Sequence, residues 1–339
     1  MRWGGRCPLL LGKRWSGLDM ATPGAGGSPL SIAVIGVDNM AESLGFYRGI
    51  VGMDVIGEET LRGLRFAGHW RMPPETRANA VLLQAGDSHV GRIMLLGFVD
   101  PRRERIRARR ERRMIGLMNL NFYVADIQSA YRDLSAKGYE FWGPPKQHSL
   151  SAGVGQETGA LLEGPDGVIV NLIQLDTTDE STRIGRMRKC FLDQGATRTG
   201  YSPVVTSAHG VHTLEKALPI YRDLLGLEVV IDEPLGPPNE RTHWTFLQGG
   251  HHYGKVALAQ PLNYEAEDLT PFAAAPNIGY IAQAFDVPDL NQAHAFCEQA
   301  NIPVYSMPDE LELPGLGRTR SMIVRNPGSG ALMQLIQTS

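Results

Sequence analysis

Four side chains in this sequence could transfer a proton to or from a bound molecule. They are Tyr123, His209, Tyr280 and Asp286. Each lies in or beside a Val- and Ile-rich segment bounded by Gly, Pro or Asp, which is typical of a β-strand. Acid–base catalysis requires such a group to be held beside the reacting atoms. We therefore take these four residues as candidate catalytic groups.

A second group of side chains could bind a ligand through hydrogen bonds: Asn119, Asn121, Asn171, Thr206 and Gln334. Alternation along a strand sends every second side chain to one face. If the apolar residues 120, 122 and 124 face a helix, then Asn119, Asn121 and Tyr123 lie on the opposite face. The same parity puts Tyr280 and Asp286 on one face of a later strand. Apolar surfaces with a few convergent polar groups are typical of sites for small organic molecules.

The segments that carry these residues recur in the same order four times. Each unit has a strand, an amphipathic helix, a short strand and a hairpin of two more strands, and the units open at Leu30, Leu117, Pro203 and Ile278. Apolar residues at three and four spacing, as in Leu214, Ala217 and Leu218, indicate a helix packed on a sheet. This order predicts an α+β fold with mixed sheets, since a doubly wound fold would alternate single strands and helices.

Length and composition limit the classes of function. With 339 residues, the chain is long enough for two domains. A net charge of −3 predicts no nucleic-acid partner and no anionic membrane partner, and no apolar run is long enough to span a bilayer. The three scattered cysteines predict a reducing, cytoplasmic location rather than a disulfide framework. We expect a monomer or homodimer that binds a small hydrophobic organic ligand.

Composition shifts along the chain predict the domain boundaries. Residues 1–28 form a flexible extension, and residues 176–201 form a polar linker. The first paired domain would cover residues 29–175, with modules 29–100 and 114–175, and the second would cover residues 202–339, with modules 202–261 and 276–339. Residues 102–113 contain eight arginines, and without aromatic residues this run predicts a solvated connecting helix.

The motif in residues 37–55 runs from strand to helix, ends the helix in Phe46-Tyr47 and turns at a glycine into the next strand. It recurs in residues 211–229, and the companion units carry Gly164-Pro-Asp-Gly and Asn326-Pro-Gly turns. With these motifs, residues 30–339 resemble the vicinal oxygen chelate superfamily, which includes glyoxalases, bleomycin-resistance proteins and extradiol dioxygenases. The resemblance implies four βαβββ modules paired into two cup-shaped mixed-sheet domains, with the site inside the cup.

Many members of this superfamily hold a divalent metal through His or Glu on a module's first strand and Glu on its last strand. The equivalent first-strand positions here are Ile32, Asn119, Thr206 and Ala282, and the last-strand positions are Leu95, Asn171, Leu258 and Gln334. None is His, Asp or Glu. Neutral amides do not offset the cost of dehydrating the ion, so we expect no metal and no other cofactor.

Three functions follow in order of preference. The first is a metal-independent isomerase, cyclase or lyase that acts on a hydrophobic small organic molecule. The second is a non-catalytic protein that sequesters such a molecule, like the bleomycin-resistance relatives. The third is a ring-cleaving extradiol dioxygenase, which requires two His and one Glu that the ligand positions lack.

Overall fold

The predicted four modules are present in the computed structural model, which describes residues 27–99, 102–107, 113–150, 153–194 and 196–338. Residues 1–26 of the predicted N-terminal extension lie outside this part of the chain. None of the described helices is long and apolar enough to cross a membrane.

The first module begins with a strand and a capped helix. Its elements are β1 (Leu30–Gly36), α1 (Met40–Leu44), β2 (Asp54–Arg62), α2 (Leu64–His69), β3 (Arg77–Ala85) and β4 (Ser88–Phe98). Asn39 caps α1, because its side-chain oxygen accepts hydrogen bonds from two backbone N–H groups of the first turn at 3.1 and 3.4 Å. A π-helical turn follows α1 and buries the aromatic pair Phe46 and Tyr47.

The second module repeats this order without an equivalent of α2. Its elements are β5 (Met114–Tyr123), α3 (Ile127–Ala136), β6 (Lys146–Ser149), β7 (Gln156–Glu163) and β8 (Ile169–Leu175). The segment predicted as a linker contains a helix, α4 (Arg183–Gln194), which buries Ile184 and Phe191 against Tyr123. This segment therefore packs on the second module instead of only connecting domains.

The third and fourth modules complete the chain. The third contains β9 (Thr206–Gly210), α5 (Leu214–Pro219), β10 (Glu228–Leu235), β11 (Thr242–Gln248) and β12 (Lys255–Pro261), and a short β13 (Glu267–Asp268) follows it. The fourth contains β14 (Gly279–Asp286), α6 (Leu290–Gln299), β15 (Val304–Leu313), β16 (Gly317–Arg325) and β17 (Leu332–Thr338).

The strands form two curled mixed sheets, which confirms the predicted fold class. One sheet has the order β15-β16-β17-β14-β1-β4-β3-β2, and the other has β10-β11-β12-β9-β5-β8-β7-β6, with β13 beside β5. The first module therefore pairs with the fourth, and the second pairs with the third. We call the cup of the first and fourth modules the outer cup, and the cup of the second and third modules the inner cup.

The predicted pairing of consecutive modules, 29–175 and 202–339, is therefore wrong. First strands of non-consecutive modules pair in antiparallel fashion instead, β1 with β14 and β5 with β9. Consecutive modules pack back to back: Asp166 accepts hydrogen bonds from the backbone N–H of Asp38 at 2.8 Å and from the hydroxyl of Ser43 at 2.5 Å. The order of the modules along the chain does not decide which of their first strands pair. The segments that connect consecutive modules are long enough for either pairing.

The arginine-rich run also differs from its prediction. Residues 102–107 are extended rather than helical, and residues 108–112 lie outside the described part. Arg103 pairs with Asp38 at 3.2 Å. Arg107 is buried in an ion pair with Glu163 and lies over the Trp142 ring at 5.6 Å. The predicted helix is thus wrong for residues 102–107. Arg102 and Arg105 are exposed to solvent as predicted, whereas carboxylates of the first two modules bind Arg103 and Arg107.

Candidate functional site

The inner cup receives the polar face of β5. Leu120 and Phe122 pack into the core on the helix side of the sheet. Asn119, Asn121 and Tyr123 alternate with them and therefore face the cup, as predicted. The Asn119 amide donates a hydrogen bond to the Asn121 side chain. This arrangement places three of the predicted site residues on one surface.

A row of four polar side chains crosses the inner cup in strand register. Lys255 is the register partner of Thr206, Thr206 of Asn121, and Asn121 of Asn171. Register partners point to the same face of a sheet, so these residues line the cup together. We call Lys255, Thr206, Asn121 and Asn171 the polar row. The structure thus brings together three predicted ligand-binding residues with a lysine that the sequence analysis missed.

Lys255 ends the polar row and is almost fully buried, with 3% of its surface exposed. Its Nζ donates a hydrogen bond to the backbone carbonyl of His252 and lies 3.5 Å from Tyr123 Oη. Burial, reinforced by the nearby Arg183, lowers the pKa of Lys255 to about 7. The amine can therefore exchange a proton near neutral pH. In the sequence, Lys255 alternates with Ala257 and Ala259 along a predicted strand. This alternation places the lysine on the same face as two small side chains and could have identified it.

Two acidic groups lie close to Lys255. Burial raises the pKa of Glu157 to about 7; Asp176 adds to this rise, and Lys255 opposes it. Burial also raises the pKa of Tyr123 well above its ordinary value, so its phenol stays protonated and can donate a hydrogen bond. Glu157 was a second omission of the sequence analysis. These groups give this end of the cup both proton donors and proton acceptors.

The helix α4 covers the Lys255 end of the inner cup. Ile184 and Phe191 pack against Tyr123, and Arg183 at the start of the helix donates a hydrogen bond to the Gln248 side chain on β11. We call this the α4 end of the cup. Arg183 brings a second cation to the same place as Lys255.

An aromatic pair continues the inner cup beyond the polar row. Trp244 and Phe246 lie on β11, partly exposed, with ring centroids 5.8 Å apart. Their register partners are Ala259 and Ala257, whose small side chains leave space in front of the rings. The inner cup therefore combines an apolar wall with a polar row, which is the composition of a site for a small organic molecule.

The outer cup carries a much less polar version of the same row. Its register partners are Arg92, Ile32, Ala284 and Gln334. The connection 63–76 of the first module is longer than its counterpart 236–241 in the third, and it places Trp70 inside the cup. The remaining cavity has a volume of about 10 Å³. Because that is no more than the space of one water molecule, Trp70 fills the cup in front of Gln334. A larger pocket of about 310 Å³ lies between α2 and β15, lined by His69, Tyr305 and Ser306.

Gln334 binds protein groups inside the filled outer cup. Its amide nitrogen donates to the Ser321 hydroxyl at 2.9 Å and lies 3.3 Å from His69 Nε2. Burial lowers the pKa of His69 to about 3, so the imidazole is neutral. Gln334 faces a cup as predicted, and these partners already occupy its amide.

The predicted cup-facing position of Tyr280 is wrong, and the candidate catalytic residue His209 does not face a cup either. His209 lies on the helix side, with Nδ1 2.8 Å from Tyr221 Oη and Nε2 2.6 Å from Ser329 Oγ. Tyr280 Oη lies 2.9 Å from Ser207 Oγ in the same buried region. An irregular register between β1 and β14, next to Tyr280, shifts the alternation there by one position. His209 follows the regular alternation of β9, in which Thr206 faces the cup.

Asp286 faces the end of the outer cup. Its carboxylate lies 3.8 Å from the guanidinium of the buried Arg92. Burial raises the pKa of Asp286, and Arg92 opposes that rise. Strand register makes Arg92 the equivalent of Lys255, because each is the register partner of a residue on its own module's first strand. It also makes Asp286 the equivalent of Tyr123, because their register partners are Ile336 and Ile173 on the last strands of the fourth and second modules.

The residues at the superfamily's metal positions do not fit a divalent cation. Leu95 and Leu258 pack on the helix side, so their predicted inward register is wrong. The other six predicted positions lie on cup-facing strand surfaces and carry no carboxylate or imidazole. No group of three His, Cys, Asp or Glu side chains in the described ranges could hold a metal. In the inner cup, the cationic form of Lys255 would also repel a cation.

Comparisons with known proteins agree with this geometry. Residues 30–172 match the family model described as Glyoxalase/Bleomycin resistance protein/Dioxygenase superfamily. Residues 30–172, the first two modules, therefore belong to this superfamily. Glyoxalase I from Zea mays is similar to it in structure, with 15% identity, 92% of each chain covered and a TM-score of 0.60. A putative dioxygenase from Bacillus subtilis subsp. subtilis str. 168 has 10% identity, coverage of 93% of this chain and 86% of its own, and a TM-score of 0.57. These similarities establish the fold, and a search of curated protein sequences gives no match.

Proposed function

We propose that the protein is an enzyme that moves a proton within a small organic molecule in the inner cup, as a metal-independent isomerase, cyclase or lyase. The observation that carries this proposal is the polar row, which ends on a buried lysine beside a phenol and a carboxylate. The pKa values of Lys255 and Glu157, each about 7, suit a base and an acid that work near neutral pH.

The proposed roles follow from the protonation states. Neutral Lys255 removes a proton from the bound molecule, and protonated Glu157 is the candidate donor at another atom. Tyr123 stays protonated and donates a hydrogen bond to an oxygen that gains negative charge. Asn171, whose side chain has no hydrogen bond to another described residue, orients a polar group of the substrate.

The alternative is a binding protein without catalysis. The partly exposed Trp244 and Phe246 favour it, since stacking and hydrogen bonds alone would retain an aromatic ligand. An extradiol dioxygenase is not supported, because the donor set does not fit the metal.

Proton transfer is directly observable before the natural substrate is known. Small aldehydes, ketones and keto acids that raise the thermal unfolding midpoint are incubated with the protein in D₂O, and exchange of their C–H groups is followed by proton NMR. We expect exchange with wild type, and a loss of about 100-fold or more in Lys255→Met. The matched control Lys216→Met changes an exposed lysine and should retain full exchange. Binding without exchange, equal in wild type and Lys255→Met, would favour the binding protein.

A further inference from the structure

We propose that the inner cup takes an anionic organic molecule, with its carboxylate against Arg183 at the α4 end and a planar apolar body against Trp244 and Phe246. This inference deepens the proposed function and rests on the same cup being the working site. Its basis is a difference in charge between equivalent positions of the two cups.

The outer cup balances its buried cation internally. Arg92 has 5% of its side chain exposed and lies 3.8 Å from Asp286. Removing a cation from water is costly, and a nearby carboxylate offsets part of that cost. The outer cup thus contains both members of an ion pair.

The inner cup has the cation without this carboxylate. Lys255 stands at the position of Arg92, while the position of Asp286 is taken by Tyr123, a neutral phenol. Arg183 adds a second cation at the α4 end. Glu157 is the nearby carboxyl group, and burial and Asp176 both disfavour its charged form. A ligand carboxylate would supply the negative charge that Asp286 supplies in the outer cup.

The apolar part of the ligand follows from a second difference. In the outer cup, Trp70 of the connection 63–76 fills the space in front of the sheet. The inner cup has only the short connection 236–241, and Trp244 and Phe246 remain partly exposed. A planar ring would cover these side chains.

The test uses two probes with the same ring, 2-naphthoate and neutral 2-naphthalenemethanol, with binding measured by calorimetry. We expect wild type to prefer naphthoate by about tenfold or more, as for a charge-assisted hydrogen bond. Arg183→Gln should remove most of this preference and leave 2-naphthalenemethanol binding unchanged. The control Arg186→Gln changes an exposed arginine of the same helix and should bind both probes like wild type.

A second variant tests the charge argument without removing Arg183. Tyr123→Asp would place a carboxylate where the outer cup has one, so the preference for naphthoate should disappear. Equal binding of both probes by wild type, no binding of either, or an equal loss of both in Arg183→Gln would overturn the inference. Anion preference without C–H exchange would leave the inference standing and contradict the proposed function. C–H exchange on neutral ligands, without a preference for anions, would support the proposed function and contradict the inference.

Discussion

Lys255 and Tyr123 meet at the α4 end of the inner cup, where the ammonium nitrogen lies 3.5 Å from the phenolic oxygen. The equivalent residues of the outer cup, Arg92 and Asp286, form an ion pair. The two cups thus share one arrangement of strands and differ in the charged side chains at equivalent positions. In the inner cup, Trp244 and Phe246 remain partly exposed and Lys255 has no equivalent of Asp286, whereas in the outer cup Trp70 fills the space beside Gln334 and Asp286 pairs with Arg92. That difference is our main reason for assigning the function to the inner cup.

The free energy of unfolding should depend on pH through Lys255 and Glu157. The pKa of Lys255 falls from 10.5 to about 7 on folding, so the unfolded chain binds more protons between these values and stability rises with pH above 7. The pKa of Glu157 rises from 4.5 to about 7, so its contribution falls as pH rises from 4.5 to 7. Together these two groups produce a minimum near pH 7.

Urea unfolding of wild type and two variants between pH 5 and 9 measures this dependence. His69 and His209, with pKa values of about 3, add an opposite slope below pH 6.5, so variants are compared with wild type at each pH. The stability gained in Lys255→Met should shrink above pH 7, and the stability gained in Glu157→Gln should shrink below pH 7. The other groups facing Lys255 are Tyr123, Arg183, Cys190 and His252. Pairwise differences that stay constant with pH would show that neither group titrates near 7.

His209 should matter for stability and not for the site. It is fully buried between Tyr221 and Ser329, and its loss removes one hydrogen bond from each of these buried hydroxyl groups. We expect His209→Ala to lower the free energy of unfolding by about 2–4 kcal/mol. Binding of 2-naphthoate to the folded variant should equal that of wild type at 15 °C, well below its unfolding midpoint. A stable variant with weakened binding would return His209 to the site.

Metal analysis tests the donor-set argument independently. Mass spectrometry of the purified protein should find no stoichiometric iron, manganese, nickel or zinc, and incubation with EDTA should leave ligand binding and C–H exchange unchanged. The reason is the amide, hydroxyl and alkyl side chains at the superfamily's ligand positions. One metal per chain, removed by EDTA together with activity, would support the dioxygenase or glyoxalase interpretation.

The sequence was sufficient for the modules and for the polar face of β5, because strand alternation and helix spacing are local properties. Asn121, Asn171 and Thr206 could be predicted as a group on that basis. Tyr280 could not be placed, since an irregular register elsewhere in the pairing decides its face. Lys255 became informative only after the second and third modules were seen to pair, because its register neighbours lie on strands distant in sequence.

Trp70 provides a test of the difference between the cups. Its side chain fills the outer cup beside Val34 and Met94, and the remaining cavity is about 10 Å³. Trp70→Ala should lower the free energy of unfolding by about 3–5 kcal/mol, because it removes this contact and leaves a cavity that the surrounding β-sheet cannot close. Indole should occupy the new space and restore part of the unfolding midpoint in Trp70→Ala, with no such effect in wild type. Leu64→Ala is the control: it changes an exposed residue of the same connection and should create no indole site. If indole stabilises Trp70→Ala and wild type equally, it binds elsewhere, and the outer cup would not be the apolar space that the chain itself fills.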